Sequence, residues 1–269
     1  HDFGSGTGSV VVTREGGRVA ELRCGEDGPN LLYEGEAPVA GGDRLWPAPE
    51  VEVFYDEAGR WRVPREVDPG SWTMEMDGPV ASLEQSAVGM RMSRRVRALD
   101  RPPLQTSMPW AGYEVADAVS GAAGRSAWHL VMLPTPQDIY VRAHGDPVAY
   151  YAPIPALREG WLSTGTTGDR WKLGFAPPGD GRVLLAAMGR DDPGPLVVLA
   201  SQADPSGTYV DVPPTGGPAT AVQVFEAVEY PFCEIEHHAP LETGETRAVV
   251  AAVWGSREDR LDWLSRLPP

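Results

Sequence analysis

Residues 222–255 read VQVFEAVEYPFCEIEHHAPLETGETRAVVAAVWG. Within and beside this stretch, runs with β-branched or aromatic residues stand at 220–230, 232–239 and 246–255, separated by Pro231 and by a turn around Gly244. Short runs of this composition, bounded by proline and glycine, are typical of β-strands. The end of the chain therefore predicts successive strands joined by short connections.

The same punctuation covers the whole chain, because 31 glycines and 27 prolines separate short runs rich in valine, threonine and aromatic residues. Two hairpins are predicted, over 9–24 and over 51–63. Further strands are predicted at 71–76, 80–85, 88–99, 112–119, 127–133, 138–144, 171–176, 181–189, 194–202 and 209–212. Residues 256–267 read as a helix capped by Ser256. The pattern predicts an all-β fold, a large antiparallel β-sandwich with a short C-terminal helix, as a single domain over 1–269.

Charge and hydropathy limit the partners. The formal net charge is −15, so nucleic acid and anionic membrane surfaces are not expected partners. The longest apolar run, at 248–254, has the length of a strand and is too short to cross a bilayer. A soluble protein is expected. Cytoplasmic and exported locations both stay open, because the chain starts at His1 without an initiator methionine and shows no signal peptide. The oligomeric state stays open as well.

Two cysteines, Cys24 and Cys233, are present. They lack the paired spacing of a zinc site and are too few for a disulfide-rich scaffold. A single bridge between them stays open, since the terminal strands of the fold can be neighbours. No cofactor is implied by the sequence.

The stretch GGDRLWPAPE at 41–50 has a different character. Its two glycines allow a sharp bend, and its two prolines fix φ and remove backbone donors. The sequence therefore predicts a stiff loop rather than an interior helix or a central strand. Such a loop would present Asp43, Arg44, Trp46 and Glu50. A planar cation beside an indole suits either packing against the end of a sheet or holding a flat polar ligand.

Several segments in this order resemble the galactose mutarotase-like superfamily, the relatives of the aldose 1-epimerases. They are GPNLLY at 28–33, GGDRLWPAPE at 41–50, AWHLVMLP at 127–134, RWKLGF at 170–175 and the stretch 222–255. More narrowly they resemble a bacterial branch that carries a GG-x-R-LWPAPE loop. The resemblance implies the large β-sandwich of that superfamily and a mono- or oligosaccharide, neutral or acidic, as the ligand.

The resemblance also implies acid–base chemistry at the anomeric centre, where a base takes the hydroxyl proton and an acid protonates the ring oxygen. Glu226 stands at the place of the family's late-strand glutamate and is the candidate base. It shares a strand face with Val222 and Val224, so a buried edge or cleft would raise its pKa. His129 is the candidate acid, although the family's His-x-Tyr-Phe pattern is absent there. The alternative for both residues is a structural role.

Two of the matching segments supply the candidate sugar contacts. Arg44 offers a rigid fork of donors for vicinal hydroxyls, and Asp43 beside it replaces a family asparagine. Trp46 offers an apolar plane for a pyranose. Glu50 would accept hydrogen bonds from the sugar or pin Arg44. Lys172 would add affinity for an acidic sugar, or simply extend its ammonium to water.

Two charged patterns read as solvated sheet faces. Glu234, Glu236 and His238 form an E-x-E-x-H stripe on one strand face; metal binding is the alternative, and no metal site is predicted. The arginines within 91–97 balance nearby carboxylates, with a groove for a polyanion as the alternative.

Three functions stay open. The first is an epimerase-like enzyme that acts on the anomeric centre of a sugar. The second is a non-catalytic carbohydrate-binding or accessory module, which needs no acid–base pair. The third is a polysaccharide lyase or other glycan-processing enzyme, in which Lys172 or an arginine would neutralise a uronate carboxylate.

Overall fold

The computed structural model describes residues 1–35, 40–142, 144–151, 157–164, 170–212, 216–227 and 229–268. Its strands are β1 Asp2–Ser5, β2 Gly8–Thr13, β3 Arg18–Arg23, β4 Asp43–Ala48, β5 Thr73–Asp77, β6 Val80–Ala87, β7 Met90–Ala98, β8 Trp110–Ser120, β9 Ser126–Pro134, β10 Asp138–Arg142, β11 His144–Ala149, β12 Trp161–Ser163, β13 Trp171–Ala176, β14 Arg182–Met188, β15 Gly194–Gln202, β16 Val222–Glu226, β17 Phe232–His238 and β18 Glu245–Gly255. The helices are α1 Glu50–Val53 and α2 Arg257–Arg266, with a 3₁₀ turn at Glu15–Gly17.

The strands form two antiparallel sheets. The first, called the site sheet below, has the order β1-β2-β3-β4-β9-β17-β16-β13-β11. The second, called the back sheet, has the order β12-β10-β14-β15-β18-β8-β7-β6-β5. Sequence neighbours such as β2 and β3 pair as hairpins, whereas β9 pairs with the distant β17 and β4. The predicted large antiparallel β-sandwich is confirmed.

The core lies between the sheets, because side chains alternate faces along each strand. From the site sheet, Val222 and Val224 enter it, and from the back sheet Val250 and Ala252 do so. A second apolar cluster forms where α2 covers the outer face of the back sheet with Trp263. The predicted helix is confirmed, and the Ser256 side chain accepts a hydrogen bond from the Asp259 N–H at its start.

The loop predicted for residues 41–50 is wrong. β4 lies inside the site sheet and α1 begins at Glu50. β4 pairs with β9 along its whole length but with β3 only at Asp43, opposite Val19. Pro47 therefore stands in a part of the strand with one described partner strand, where a missing N–H is tolerated.

Three further expectations are corrected. The hairpin at 51–63 is replaced by α1 and an isolated bridge between Tyr55 and Trp61. Residues 209–212 form no strand. Cys24 and Cys233 are both buried and free, so the optional disulfide is absent. Among the described residues, no helix is long and apolar enough to cross a membrane.

Candidate functional site

A cavity of about 320 Å³ opens on the outer face of the site sheet. Side chains of β4, β9, β17, β16 and β13, which are successive neighbours, contribute to it. The lining residues are Trp46, Glu50, Tyr55, Trp61, Trp128, Tyr151, Arg170, Lys172, Phe225, Tyr230, Phe232 and Glu234. A cavity of this size, mostly aromatic with a few charged groups, is typical of a small-molecule site.

Strand register brings the lining side chains together. Lys172 of β13 lies opposite Phe225 of β16, which in turn lies opposite Glu234 of β17. Trp46 of β4 lies opposite Trp128 of β9. Because alternate side chains share a face, these residues project outward while their chain neighbours enter the core.

Aromatic rings form one wall of the cavity. The Trp46 and Trp128 ring centroids are 5.3 Å apart, with an interplanar angle of 78°. Phe54 packs behind them, 4.6 Å from Trp46 between centroids. Trp61 is 38% exposed and stacks on Phe54 at the rim. Indole faces of this kind give an apolar plane to a ligand.

Lys172 is the one lysine of the sequence, and it lies buried in the floor of the cavity. Its Nζ is 3.1 Å from Glu236 Oε2 and 3.9 Å from Glu50 Oε2. The same Nζ lies 5.1 Å from the centroid of the Trp128 ring. Burial alone would lower the pKa of Lys172, but the surrounding carboxylates outweigh it and raise this pKa. The side chain is therefore a permanent cation.

A buried polar cluster continues below Lys172. His238 Nε2 lies 3.5 Å from Glu236 Oε2 and 3.9 Å from Asp211 Oδ2. Asp211 Oδ1 accepts a 2.6 Å hydrogen bond from the Glu50 N–H, and Gln223 Nε2 donates to Asp211 Oδ2 at 3.2 Å. Asp211 thus fixes the start of α1 and with it the position of the Glu50 side chain.

Two carboxyl groups in the cavity titrate near neutral pH. Burial raises the pKa of Glu50 to about 7, against the attraction of Lys172. Burial and the neighbouring Glu236 carboxylate raise the pKa of Glu234 to about 8. Burial would also raise the pKa of Glu236, but Lys172 and His238 together outweigh it and lower this pKa. Lys172 therefore keeps Glu236 ionised and leaves the other two carboxyls able to carry a proton.

Three of the predicted sugar contacts, Trp46, Glu50 and Lys172, line the cavity. Arg44 lies behind the wall with no solvent exposure, and its Nη1 donates to Asp68 Oδ2 at 3.2 Å. The Trp46 Nε1 donates to the same oxygen at 3.0 Å. The guanidinium of Arg44 therefore orients the indole instead of reaching the cavity.

Asp43 and His129 lie on the other face of the site sheet, in the core. Asp43 Oδ2 accepts a 2.5 Å hydrogen bond from the Tyr113 hydroxyl and lies 2.9 Å from His129 Nε2. Arg94 of β7 contacts Asp43 and donates from Nε to Asp117 Oδ1 at 2.7 Å. This cluster ties the two sheets together, and it corrects the expectation that the arginines of 91–97 all face solvent, because Arg94 is buried.

Glu226 also faces the core side of its strand. Its Oε2 accepts a 2.9 Å hydrogen bond from Trp171 Nε1, and both side chains are buried. Neither Glu226 nor His129 lines the cavity. The structure therefore does not bring together the acid and base predicted from the sequence, and their catalytic roles stay predictions.

Sequence reasoning missed Glu234, Trp128 and the aromatic rim. The E-x-E-x-H stripe was expected on a solvated face, but Glu234, Glu236 and His238 are buried at the cavity and beneath it. The alternation was a usable signal, because it gave the shared face correctly. Among the described residues, no group of three or more potential ligands is arranged to hold a metal ion.

Comparison with solved structures identifies the fold. The chain superposes on a galactose mutarotase-like protein from Lactobacillus casei ATCC 334 with a TM-score of 0.53, 11% identity, and coverage of 95% of this chain and 99% of the other. It superposes on a galactose mutarotase related enzyme from Lactobacillus acidophilus with a TM-score of 0.52, 10% identity, and coverage of 95% and 97%. The chain has the galactose mutarotase-like fold.

A third neighbour, the Slr1438 protein from Synechocystis sp. PCC 6803, has a TM-score of 0.54, 11% identity and 96% coverage of both chains. No protein-family model matches the chain, and no curated protein matches it. The superfamily resemblance seen in the sequence is thus confirmed for the galactose mutarotase-like fold. The narrower branch defined by the 41–50 motif stays a prediction.

Proposed function

We propose that the chain binds a sugar in this cavity and interconverts its anomers by acid–base catalysis. The observation that carries the proposal is that Glu50 and Glu234 face one aromatic-lined cavity with pKa values of about 7 and about 8. Near neutral pH such a pair supplies one ionised and one protonated carboxyl group, which is what anomer interconversion requires. The galactose mutarotase-like fold supports a carbohydrate as the ligand.

The chemistry assigns one role to each carboxyl. Ionised Glu50 takes the proton of the anomeric hydroxyl, and protonated Glu234 gives its proton to the ring oxygen as the bond from C1 to that oxygen breaks. The open-chain aldehyde then turns its carbonyl face, and the reverse transfers close the ring as the other anomer. Both carboxyls recover their starting states. Lys172, 3.9 Å from Glu50, favours the ionised form of the base.

The remaining lining residues would hold the pyranose. Trp46 and Trp128 offer adjoining ring surfaces to its C–H face. Tyr55 and Tyr151 also line the cavity, and their hydroxyls are able to hydrogen-bond to sugar hydroxyls. The ordered wall behind Trp46, made by Asp68 and Arg44, would limit the loss of side-chain entropy on binding.

The test is anomer exchange measured by NMR on a panel of aldoses, with the wild type, Glu50→Gln and Glu234→Gln. The wild type is expected to accelerate exchange, with a rate that rises as Glu50 ionises near pH 7 and falls as Glu234 loses its proton near pH 8. Each glutamine variant is expected to lose about 100-fold of the acceleration. Absence of acceleration by the wild type for every sugar would overturn the catalytic proposal.

A binding module is the second candidate, because the aromatic wall by itself suffices for sugar binding. In that case the same samples would show chemical-shift changes on sugar addition without faster exchange. Binding would then depend on Trp46 and would survive the replacement of either glutamate.

A further inference from the structure

We infer that the cavity accepts neutral and basic sugars and rejects sugars that carry a carboxylate or a phosphate group. This inference rests on the proposed function, because it concerns the ligand of the same cavity. It replaces the expectation from the sequence that Lys172 favours an acidic sugar. The selectivity follows from which charges near the cavity are already paired.

Carboxyl groups outnumber cations at the floor and the wall behind it. Among the described residues, this region contains five carboxyl groups and three cations. The carboxyl groups are those of Glu50, Asp68, Asp211, Glu234 and Glu236, and the cations are Arg18, Arg44 and Lys172. His238 adds a positive charge only when it is protonated. The ligand therefore enters a region with surplus carboxyl groups.

The cations closest to a ligand are already engaged. Lys172 contacts two carboxylates, at 3.1 and 3.9 Å. Arg170 lines the cavity but donates from Nη2 to Glu229 Oε1 at 2.8 Å. An incoming carboxylate would have to displace Glu50 or Glu236 from Lys172 and leave that carboxylate unpaired, which is costly in a buried site.

Glu234 is a carboxyl group that an anion in the cavity would meet. It is about nine-tenths buried and lines the cavity, and its carboxyl makes no hydrogen bond or ion pair with the described residues. A hydroxyl or an ammonium group of a sugar would supply its missing partner. A second anion beside it would add like-charge repulsion where water is scarce.

The rejection should depend on pH. The charged and titratable groups that face Glu234 and Glu50 come from every neighbouring element: Arg44 from β4, Tyr55 after α1, Tyr151 after β11, Arg170 before β13, Lys172 from β13, Asp211 from the segment before β16, and Glu236 from β17. Glu50 and Glu234 themselves gain negative charge between about pH 6 and pH 9. Anions are therefore excluded more strongly as the pH rises.

The experiment compares galactose with galacturonate, and glucose with glucuronate, by calorimetric titration at pH 6 and pH 9. Within a pair the sugars differ only at C6. The neutral sugar is expected to bind about tenfold more tightly at pH 9, and the ratio is expected to shrink at pH 6. Glu234→Gln should reduce the ratio at pH 9, and Glu75→Gln, an exposed change on β5 of the back sheet, should leave it unchanged.

The outcomes separate the two proposals. Equal or tighter binding of the uronates at pH 9, with galactose or glucose still bound, overturns the inference and leaves the proposed function standing. No binding of any neutral or acidic sugar overturns both. If Glu234→Gln does not fold, Glu50→Gln provides the same comparison, because it removes the other carboxyl that gains charge in this range.

Discussion

Lys172 Nζ lies 3.1 Å from Glu236 Oε2 beneath the cavity, although β13 and β17 are separated by β16. Both side chains are almost completely buried, so their attraction is little screened by water. Because Lys172 is closest to Glu236, this carboxyl stays ionised. Glu50 and Glu234 are left with raised pKa values, and their availability for proton transfer depends on this arrangement.

Replacement of Lys172 by methionine should destabilise the protein strongly at neutral pH. The change leaves Glu236 buried without its cation, which costs about 3–5 kcal/mol for pairs of this kind. The pKa of Glu236 is lower in the folded protein than in the unfolded chain. The stabilisation by the ion pair is therefore present at pH values above the unfolded-state pKa, and it is lost as the pH falls through the folded-state pKa. Urea unfolding should therefore show a smaller loss at pH 4 than at pH 8. Lys172→Arg, which keeps the charge, is the control, and an equal loss at both pH values would contradict the expectation.

Glu234→Gln should stabilise the protein at high pH. The pKa of Glu234 is raised to about 8 when folded, so the wild type loses stability as the pH rises from the unfolded value through about 8. Glutamine removes the buried charge and keeps the shape. A gain of about 2–4 kcal/mol is expected at pH 9 from the size of the shift, and almost none at pH 4. Thermal or urea unfolding at both pH values measures this gain in the free energy of unfolding, with Glu75→Gln as the exposed control. A gain that does not change with pH would contradict a buried, unpaired Glu234.

The variant Glu226→Gln tests whether the catalytic base is Glu226, as predicted from the sequence, or belongs to the pair Glu50 and Glu234 in the cavity. Glu226 faces the core and accepts a hydrogen bond from Trp171, so its replacement should cost about 1 kcal/mol of stability. Anomer exchange should stay within about twofold of the wild type once folding is accounted for. A loss as large as that of Glu234→Gln would restore Glu226 as the base.

Asp43→Asn should destabilise the sandwich without weakening sugar binding. The carboxylate of Asp43 lies between Arg94, Tyr113 and His129, and its loss leaves the Arg94 guanidinium with one fewer buried anion. The expected cost is about 3–5 kcal/mol, measured by urea unfolding at pH 7. Burial would raise the pKa of Asp43, but Arg94, His129 and Tyr113 together outweigh it and hold this pKa at about 2, so the cost should persist down to about pH 4.

The exposed change Asp77→Asn on β5 is the control for this measurement. The folded Asp43→Asn variant should bind sugar with a Kd within about twofold of the wild type. A much larger change in Kd, with stability intact, would mean that Asp43 contacts the ligand after all.

Much of the fold could be predicted because strand runs and turns are local features. The hairpin of β2 and β3, the strands β16, β17 and β18, and α2 with its Ser256 cap all follow from composition and spacing. β4 was missed because its prolines and glycines argue against a strand. Its place in the sheet is stabilised by pairing with the distant β9, which local propensity does not reveal.

The site was predicted in part. The stretch 41–50 was expected to present Trp46 and Glu50, and both side chains line the cavity, although β4 and the start of α1 hold them instead of a loop. Arg44 and Asp43 were expected beside them. Neighbouring side chains of a strand alternate faces, which separates Asp43 from Trp46, whereas Arg44 shares the face of Trp46 but is engaged by Asp68. Arg44 supports the wall from behind and Asp43 enters the core.

Composition and alternation predict an acidic, all-β chain whose strands each have two distinct faces, because both are properties of neighbouring residues. Which of the two faces is covered depends on the tertiary structure. It placed Glu234 and Glu236 in a buried cavity instead of in water, and Glu226 against Trp171 in the core. The reason is physical: a carboxyl group becomes an acid or base near neutral pH through desolvation and its neighbours' charges, and both come from strands far apart in the chain.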